Sequence, residues 1–341
     1  MTPTELAEHV VAGDVRAAAR ACRWADDGAP EGRELLRKLH PHASEAWLLG
    51  VTGSPGAGKS TLTDRLVARF RARGDRVGVV AVDPTSPFSG GAILGDRIRM
   101  QRHFEDPDVF IRSVATRGAL GGLSRTAGEV ALVLAAWGAR VVILETVGVG
   151  QDELEVSQLA DTTLVVTVPG LGDDVQALKA GILESADVFA VNKSDREGAE
   201  ATVRDLESML ALGDAVQMDA AHASFSGGHG APRGREVPPS DSGRWRPLIV
   251  RTVASADRGI DELFGALEAH RRHLATQGAE PKVERARTRL GALLREDLGA
   301  MALRELDAAL AASALRVARG ESDPYSECES LVRQFRGQHP V

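Results

Sequence analysis

The sequence predicts an α/β fold: a mostly parallel central sheet flanked by an N-terminal and a C-terminal helical arm. Three observations point to it. Across residues 46–278, short and nearly continuous apolar runs alternate with amphipathic stretches, the pattern of strands covered on both faces by helices. Asp83, Glu145 and Asn192 each stand where one of these runs ends, and in open parallel sheets ligands collect beyond the carboxyl ends of the strands. The run at 47–51 leads into Gly53-Ser54-Pro55-Gly56-Ala57-Gly58-Lys59-Ser60-Thr61, which an amphipathic segment at 62–70 follows.

That stretch has the spacing of a P-loop, a glycine, four free positions and Gly-Lys-Ser, in the strand, loop and helix context the motif needs. Its glycines let successive N–H groups turn inward around a phosphate, and the helix starting near Lys59 aims its positive end at the same point. Lys59 then reaches the terminal phosphates and Ser60 holds Mg²⁺. A P-loop NTPase domain over 46–278 is expected, between helical arms at 1–45 and 279–341.

Composition limits the alternatives. The 341 residues are 43% hydrophobic and 26% charged, an ordinary soluble balance. The net charge is −7 and the basic residues are scattered, which argues against nucleic acid or an anionic membrane as partner. Cys22 and Cys328, at opposite ends, form neither a disulfide framework nor a metal motif, so a reducing cytoplasm is expected. The first residues lack a signal-peptide pattern, and no apolar run reaches the length of a membrane span.

In chain order, residues 4–40 show helical spacing at Leu6, Val10, Leu35 and Leu39, broken by Gly13 and by 26–32. A second strand at 76–82 delivers Asp83, a Mg²⁺-sphere candidate. The glycine-rich 87–96 stretch, ending in Asp96, suits either a switch that orders around Mg²⁺ and the last phosphate or a surface Ω-loop. A third strand at 109–114 and a helix within 121–137 precede a fourth strand at 140–144. Glu145-Thr146-Val147-Gly148 follows: the acid orders a Mg²⁺-bound water and the Gly148 N–H meets the γ-phosphate. Position 149 is valine where many nucleotide switches carry a water-positioning glutamine, so unaided hydrolysis is expected to be slow.

A fifth strand at 161–168 leads to Gly170 and Gly172 and a short helix with Gln176 and Lys179. This junction reads as a responsive switch or as a simple turn with a solvated lysine. The sixth strand, 187–191, delivers Asn192-Lys193-Ser194-Asp195. A carboxylate placed like Asp195 accepts from guanine N1–H and the exocyclic amine, an arrangement adenine lacks. A helix at 198–212 and an aperiodic stretch at 220–246, read as a mobile loop, come before the last strand at 248–253. His222 and His229 within that loop read as solvated more readily than as metal ligands. The backbone at Ser255 and Ala256 closes over the base, and 260–274 is the helix behind. Beyond 281, leucines at helical spacing form a stripe that either packs back or dimerises.

Several stretches together carry a family resemblance: 82–86 (Val-Asp-Pro-Thr-Ser), 90–97 with Arg99-Met100, 115–118 with 121–123, 145–151, 192–195, and Gly320 with Asp323-Pro324-Tyr325. They resemble the methylmalonyl-CoA mutase-associated GTPases of the MeaB/ArgK type, in the SIMIBI class, from the N-terminal arm to about residue 335. The resemblance implies a GTP-hydrolysing chaperone of an adenosylcobalamin-dependent acyl-CoA mutase, a homodimer formed through the C-terminal arm, that gates cofactor delivery and protects the mutase. Cobalamin enters only through that partner. By motif, Lys59 and Ser60 hold phosphates and Mg²⁺, and Asp83, Asp96 and Glu145 form the Mg²⁺ and switch constellation. Asn192, Lys193 and Asp195 read guanine, and Gln176 and Lys179 couple the nucleotide to the mutase. The sequence departs from the family at Asp152, often serine, at Ala119, often histidine, and in a longer 220–246 stretch. The competing expectation is a kinase or ATPase of a lysine/arginine/ornithine transport system, which would need an acceptor site. A nickel or cobalt insertion GTPase would need a Cys- or His-rich motif.

Overall fold

The computed structural model describes residues 1–28, 30–43, 45–83, 101–103, 105–115, 122–146, 152–170, 185–225, 245–278 and 280–338. Two compact units emerge, Met1–Pro281 and Lys282–Val341. The first opens with three helices, α1 (Pro3–Val11), α2 (Val15–Asp27) and α3 (Pro30–Leu39). Its strands are β1 (Trp47–Gly53), β2 (Val77–Asp83), β3 (Val109–Ala115), β4 (Val141–Thr146), β5 (Thr162–Thr167), β6 (Val188–Val191) and β7 (Leu248–Arg251). Between and after them run α4 (Lys59–Ala72), α5 (Gly122–Ala136), α6 (Asp152–Leu159), α7 (Ala199–Phe225) and α8 (Ile260–Thr276).

The strands form one sheet in the order β3-β2-β4-β1-β5-β6-β7, and every neighbouring pair is parallel. Strand side chains alternate between the two faces, and both faces are covered. Trp47, Leu49 and Val51 of β1 and Ile143 of β4 pack with Leu62, Leu66 and Phe70 of α4 and with Leu263 of α8. Their even-numbered neighbours Val80, Val82, Val142 and Leu144 pack on the opposite face against α5 and the N-terminal helices. A smaller cluster, Val165, Phe189, Val191 and Leu206, seats α7. Because all strands run the same way, their carboxyl ends lie along one edge, with β1 in the middle.

The N-terminal helices are set by local chemistry. Thr2 and Glu5 form a reciprocal cap on α1, with Glu5 N–H donating to Thr2 Oγ1 at 3.2 Å and Thr2 N–H to Glu5 Oε2 at 2.8 Å. Asp14 caps α2 through the Arg16 and Ala17 amides. Leu6, Val10, Cys22, Leu35 and Leu39 are fully buried in the core shared with α5, which seats the arm on the sheet. Burial pushes the Cys22 thiol up to about 12, so it stays protonated and inert at neutral pH.

One expectation is corrected. The helix expected to end at residue 212 continues to Phe225, so residues 220–225 are helix and not loop. Alanines at 215, 220, 221 and 223, with no proline, sustain the helix past Gly213. The remainder of the expected loop, 226–244, lies outside the described residues.

Helix α9 (Glu280–Glu305) crosses the division between the units, and α10 (Asp307–Ala318) and α11 (Pro324–Gln338) belong to the second. The Asp-Pro-Tyr motif is the start of α11: Asp323 accepts from the Tyr325 and Ser326 amides at 2.9 and 3.0 Å, and Pro324 occupies the first helical turn. Arg316 on α10 grips Glu327 on α11 with both Nε, at 2.9 Å to Oε1, and a second nitrogen on Oε2. Leu290, Leu294 and Leu298, four residues apart on α9, are exposed. No helix of the described residues is long and apolar enough to cross a membrane.

Two predictions follow from this packing. A Cβ on Gly32 of α3 would lie 2.4 Å from the Trp24 carbonyl oxygen of α2. Gly32→Ala is expected to lower unfolding stability by about 1–3 kcal/mol, as urea denaturation would show, by forcing the two helices apart. In the second unit, the hydrogen bond from Arg316 holds the Glu327 carboxyl down at about 2, below its usual 4.5. A depressed carboxyl stabilises the fold above its unfolded value and loses that contribution as pH falls to the folded value. Protection factors of the α11 amides in the full chain, measured against the intrinsic exchange rate at each pH, are therefore expected to fall between pH 4.5 and about 2. Glu327→Gln should exchange faster than wild type at neutral pH, and the difference should vanish at the acid end of that window.

Candidate nucleotide-binding site

The glycine-rich turn sits at the carboxyl end of the central strand, and two of its glycines are required sterically. Gly53 ends β1 with φ 130°, where a Cβ would lie 2.0 Å from the Val166 carbonyl oxygen of β5. Gly58 adopts φ 94°, and a Cβ there would meet the Asn192 side-chain nitrogen at 2.5 Å. Helix α4 starts immediately after Gly58 and has no side-chain cap, so its first turn presents main-chain N–H groups beyond the strand ends. Lys59, buried in that turn, folds back so that Nζ donates to the Gly53 and Ser54 carbonyls at 2.7 and 3.0 Å. This holds the ammonium at the mouth of the turn.

The strand register brings the acid to the same place. Val51 of β1 pairs with Glu145 of β4, and Ala81 of β2 pairs with Glu145 from the other side. Glu145 alternates onto the face covered by α4, like Ile143 two residues earlier. There its Oε1 accepts from Ser60 Oγ at 2.5 Å, both groups being buried. On the other face Thr146 Oγ1 donates to Thr52 Oγ1 at 3.2 Å, tying β4 to β1 just below the turn. A hydroxyl and a carboxylate converging beside an ammonium are the hard oxygen donors that Mg²⁺ takes, so the donor set fits that ion. Asp83 is the final residue of β2, one step along the strand edge from this pair.

Three strand ends are joined by Asn192. Its side-chain Nδ2 donates to the Ala57 carbonyl at 2.8 Å, while Oδ1 accepts from the Ala254 amide at 3.1 Å and Thr252 Oγ1 at 3.2 Å. Lys193, in the left-handed region at φ 55°, donates Nζ to the Gly56 carbonyl at 2.8 Å. Ser194 N–H binds the Thr252 carbonyl at 3.0 Å, which holds the 192–195 turn beside the short 3₁₀ turn Ala254–Ala256. Asp195, Ser255 and Ala256 are exposed at this rim. The carboxylate of Asp195 is therefore open to water, and only a bound base covering it would give the sharp desolvation argument against adenine its force.

Of the site residues expected from sequence, the structure brings residues 53–61, Glu145, Asn192, Lys193, Asp195, Ser255 and Ala256 to this one edge, with Asp83 at the adjoining strand end. Asp96, Gly148, Gln176 and Lys179 lie outside the described residues. Sequence reasoning missed the supports. Thr252 holds the Asn192 amide. Asp64, on α4, is gripped by Arg102 at 2.6 Å and by His103 Nε2 at 3.1 Å. Burial opposes the Asp64 charge, but hydrogen bonds from His103 and Arg102 outweigh it and hold the carboxyl below its usual range. Arg65 and Arg69 of α4 reach the 254–261 segment. No short motif announces such pairs, because their partners lie dozens to almost two hundred positions apart.

The family model described as methylmalonyl-CoA mutase-associated GTPase MeaB matches residues 18–305. A Pyrococcus abyssi protein that carries a provisional GTPase name is 42% identical over 338 residues, covering 98% of this chain and 97% of its own. The GTPase ArgK of Escherichia coli is 37% identical over 245 residues, 72% of this chain and 67% of its own. A fused isobutyryl-CoA mutase of Cupriavidus metallidurans is 41% identical over 213 residues, 61% of this chain but only 19% of that protein. Among solved structures, one titled LAO/AO transport system kinase superposes with a TM-score of 0.65 at 25% identity, covering 98% of this chain and 97% of the other. The phosphate turn, the Ser60–Glu145 pair and the Asn-Lys-x-Asp brace thus belong to a chain matched over most of its length, and this chain is a member of the MeaB family of methylmalonyl-CoA mutase-associated GTPases.

Proposed function

We propose that the chain is a Mg²⁺-dependent GTPase that works as a homodimer, in the cytoplasm, on an adenosylcobalamin-dependent acyl-CoA mutase, gating cofactor delivery and protecting the mutase from inactivation. The observation that carries the mutase assignment is the covalent one: in the Cupriavidus protein, a region 41% identical to this chain is part of a polypeptide named as a fused isobutyryl-CoA mutase. A partner joined in one chain elsewhere is a natural partner in trans here. Cobalamin belongs to that partner, and the exposed Leu290, Leu294 and Leu298 stripe supports the dimer.

In this reading the N–H groups of Gly56, Gly58, Lys59 and Ser60 and Lys59 Nζ hold the β- and γ-phosphates, and the dipole of α4 favours their charge. Ser60, Glu145, Asp83 and Asp96 would hold Mg²⁺, which when bound neutralises charge on the phosphate oxygens. Ser60 and Glu145 are already within 2.5 Å of one another, so their oxygens need little rearrangement. Asn192 and Lys193 fix the turn that carries Asp195, whose carboxylate accepts from guanine N1–H and the exocyclic amine. Gly148, Gln176 and Lys179 are assigned to nucleotide sensing and to coupling with the mutase. Valine at position 149 leaves no glutamine next to Gly148 to orient the attacking water, so hydrolysis is expected to be slow until the mutase binds.

The transport-kinase title of the structural neighbour keeps phosphotransfer as the reading to be tested against. Two outcomes decide between them. In the first, Asp195→Asn is expected to weaken GTP binding by about 10²-fold or more and to gain xanthosine triphosphate, because an amide can donate to the xanthine C2 carbonyl where the carboxylate could only accept. Fluorescent-nucleotide titration reads both effects, and unchanged preference would remove Asp195 from base recognition. In the second, GTP turnover is measured alone and with purified acyl-CoA mutases under matched Mg²⁺ and salt. A rise of about tenfold or more with one mutase is expected, with phosphate released to solution. Phosphate found instead on a protein or small-molecule acceptor would favour the kinase.

A further inference from the structure

We infer that Arg65, on the helix that begins at the phosphate turn, is a positioning residue for base selection: it holds the Ala254–Ala256 turn so that its main chain meets the C6 side of guanine. The inference rests on reading this edge as a guanine-nucleotide site. Arg65 Nε donates to the Ala254 carbonyl at 3.1 Å, and Asn192 Oδ1 accepts from the Ala254 amide at 3.1 Å. The peptide groups on both sides of Ala254 are therefore each gripped by a side chain, one from α4 and one from the 192–195 turn. Ala254 itself is 2% exposed, whereas Ser255 and Ala256 beyond it stand open at the rim.

The grip continues past the turn. Asp257 closes it in the left-handed region at φ 56°, and its carboxylate lies 3.7 Å from Arg65 and 3.0 Å from Arg69. Val253 and Arg258 then pair as an isolated bridge. Gly259 follows, where a Cβ would sit 2.1 Å from the Arg251 carbonyl oxygen. A five-residue excursion pinned at its base, its crown and its return has little freedom to shift. Exposed ion pairs contribute little by themselves, so the informative contact is the one to the buried Ala254 carbonyl.

This arrangement has a chemical consequence. The Ala256 N–H is taken up by the Val253 carbonyl at 2.9 Å and the Asp257 N–H by the Ala254 carbonyl at 3.3 Å, which leaves the Ser255 N–H for a ligand. Guanine carries an acceptor at C6 and adenine a donor there, so that main-chain N–H at the rim favours guanine if the turn is held at the right distance. Asp195 reads the other side, N1–H and the C2 amine. Arg65 supports only the first of these contacts, and it does so from the same helix whose first turn carries Lys59 and Ser60, about one turn away along the axis. The two halves of base recognition are thereby separable by mutation.

The experiment measures affinities of the full-length chain for GDP, 6-thio-GDP and IDP, for wild type and for Arg65→Ala. 6-Thio-GDP weakens the acceptor at C6 and keeps the amine, while IDP keeps the C6 oxygen and lacks the amine. In R65A, GDP affinity is expected to fall about five- to tenfold, the loss of one hydrogen-bond's worth of positioning. The GDP to 6-thio-GDP ratio should shrink toward one, and the GDP to IDP ratio should stay at its wild-type value. Both ratios unchanged, or both shrinking by the same factor, would overturn the inference, since a general loosening moves the two together. Should R65A not fold, as judged by its circular dichroism and melting, Arg65→Lys carries the same test by the same criteria: it keeps a cation beside Asp257 but removes the Nε–H. Wild-type protein that binds ADP as tightly as GDP would instead overturn the guanine reading on which the inference stands.

Discussion

The side chain of Asn192 is the contact on which the edge of this molecule depends. A single amide binds the Ala57 carbonyl of the phosphate turn, the Ala254 amide of the 3₁₀ turn and the Thr252 hydroxyl after β7. Asn192 is 2% exposed, so these are hydrogen bonds made away from water, where an unmatched polar group costs about 1–3 kcal/mol. The amide also explains a distant glycine. Its nitrogen occupies the space a Cβ at Gly58 would need, so the residue just before α4 and the residue just after β6 are fixed by one another.

Helix α4 distributes that order. Its first turn carries Lys59 and Ser60, its second carries Asp64 and Arg65, and its third carries Arg69. Between them these side chains reach four places: Lys59 the glycine-rich turn, Ser60 Glu145, Asp64 the Arg102–His103 segment, and Arg65 and Arg69 together the 254–261 segment. Its opposite face, with Leu62, Leu66, Val67 and Phe70, is locked into the core beside Trp47 and Phe264. Trp47 and Phe264 approach the Phe70 ring at centroid distances of 6.0 and 4.9 Å, packing that resists rotation of the helix. A rotation of α4 would disturb all of these contacts at once, so the aromatic packing beneath is part of the geometry of this edge.

Much of this was legible in the chain. The P-loop pattern located β1 and α4, the acidic or amide residues closing apolar runs located the ends of β2, β4 and β6, and each of the seven strands falls within a residue or two of its expected bounds. These signals survive because they are local: a glycine forced into positive φ, or a run of apolar residues two-sided in burial, is written in consecutive residues. What was not legible is what joins distant segments. Arg65 and Ala254 lie 189 positions apart, and Arg102 and Asp64 lie 38 apart, with an arginine or aspartate that composition alone would assign to solvent. The length of α7 was misjudged for the opposite reason. Polar and small residues around 220 resemble loop composition, yet alanine and the absence of proline let the helix continue.

The glutamate at 145 shows how register and side-chain length combine. Parity along β4 sends residue 143 into the core on the α4 face, and residue 145 follows it onto that face one step nearer the strand end, where the core gives way to the first turn of α4. Both Ser60 and Glu145 are nearly water-free, at 8% and 4% exposure, and their pairing offsets part of the cost of burying each polar group. Their 2.5 Å hydrogen bond therefore serves the fold, and it sets a hydroxyl and a carboxylate side by side at the strand end. An aspartate at 145 would be one methylene shorter, so the same backbone register would leave the serine hydroxyl short of its acceptor.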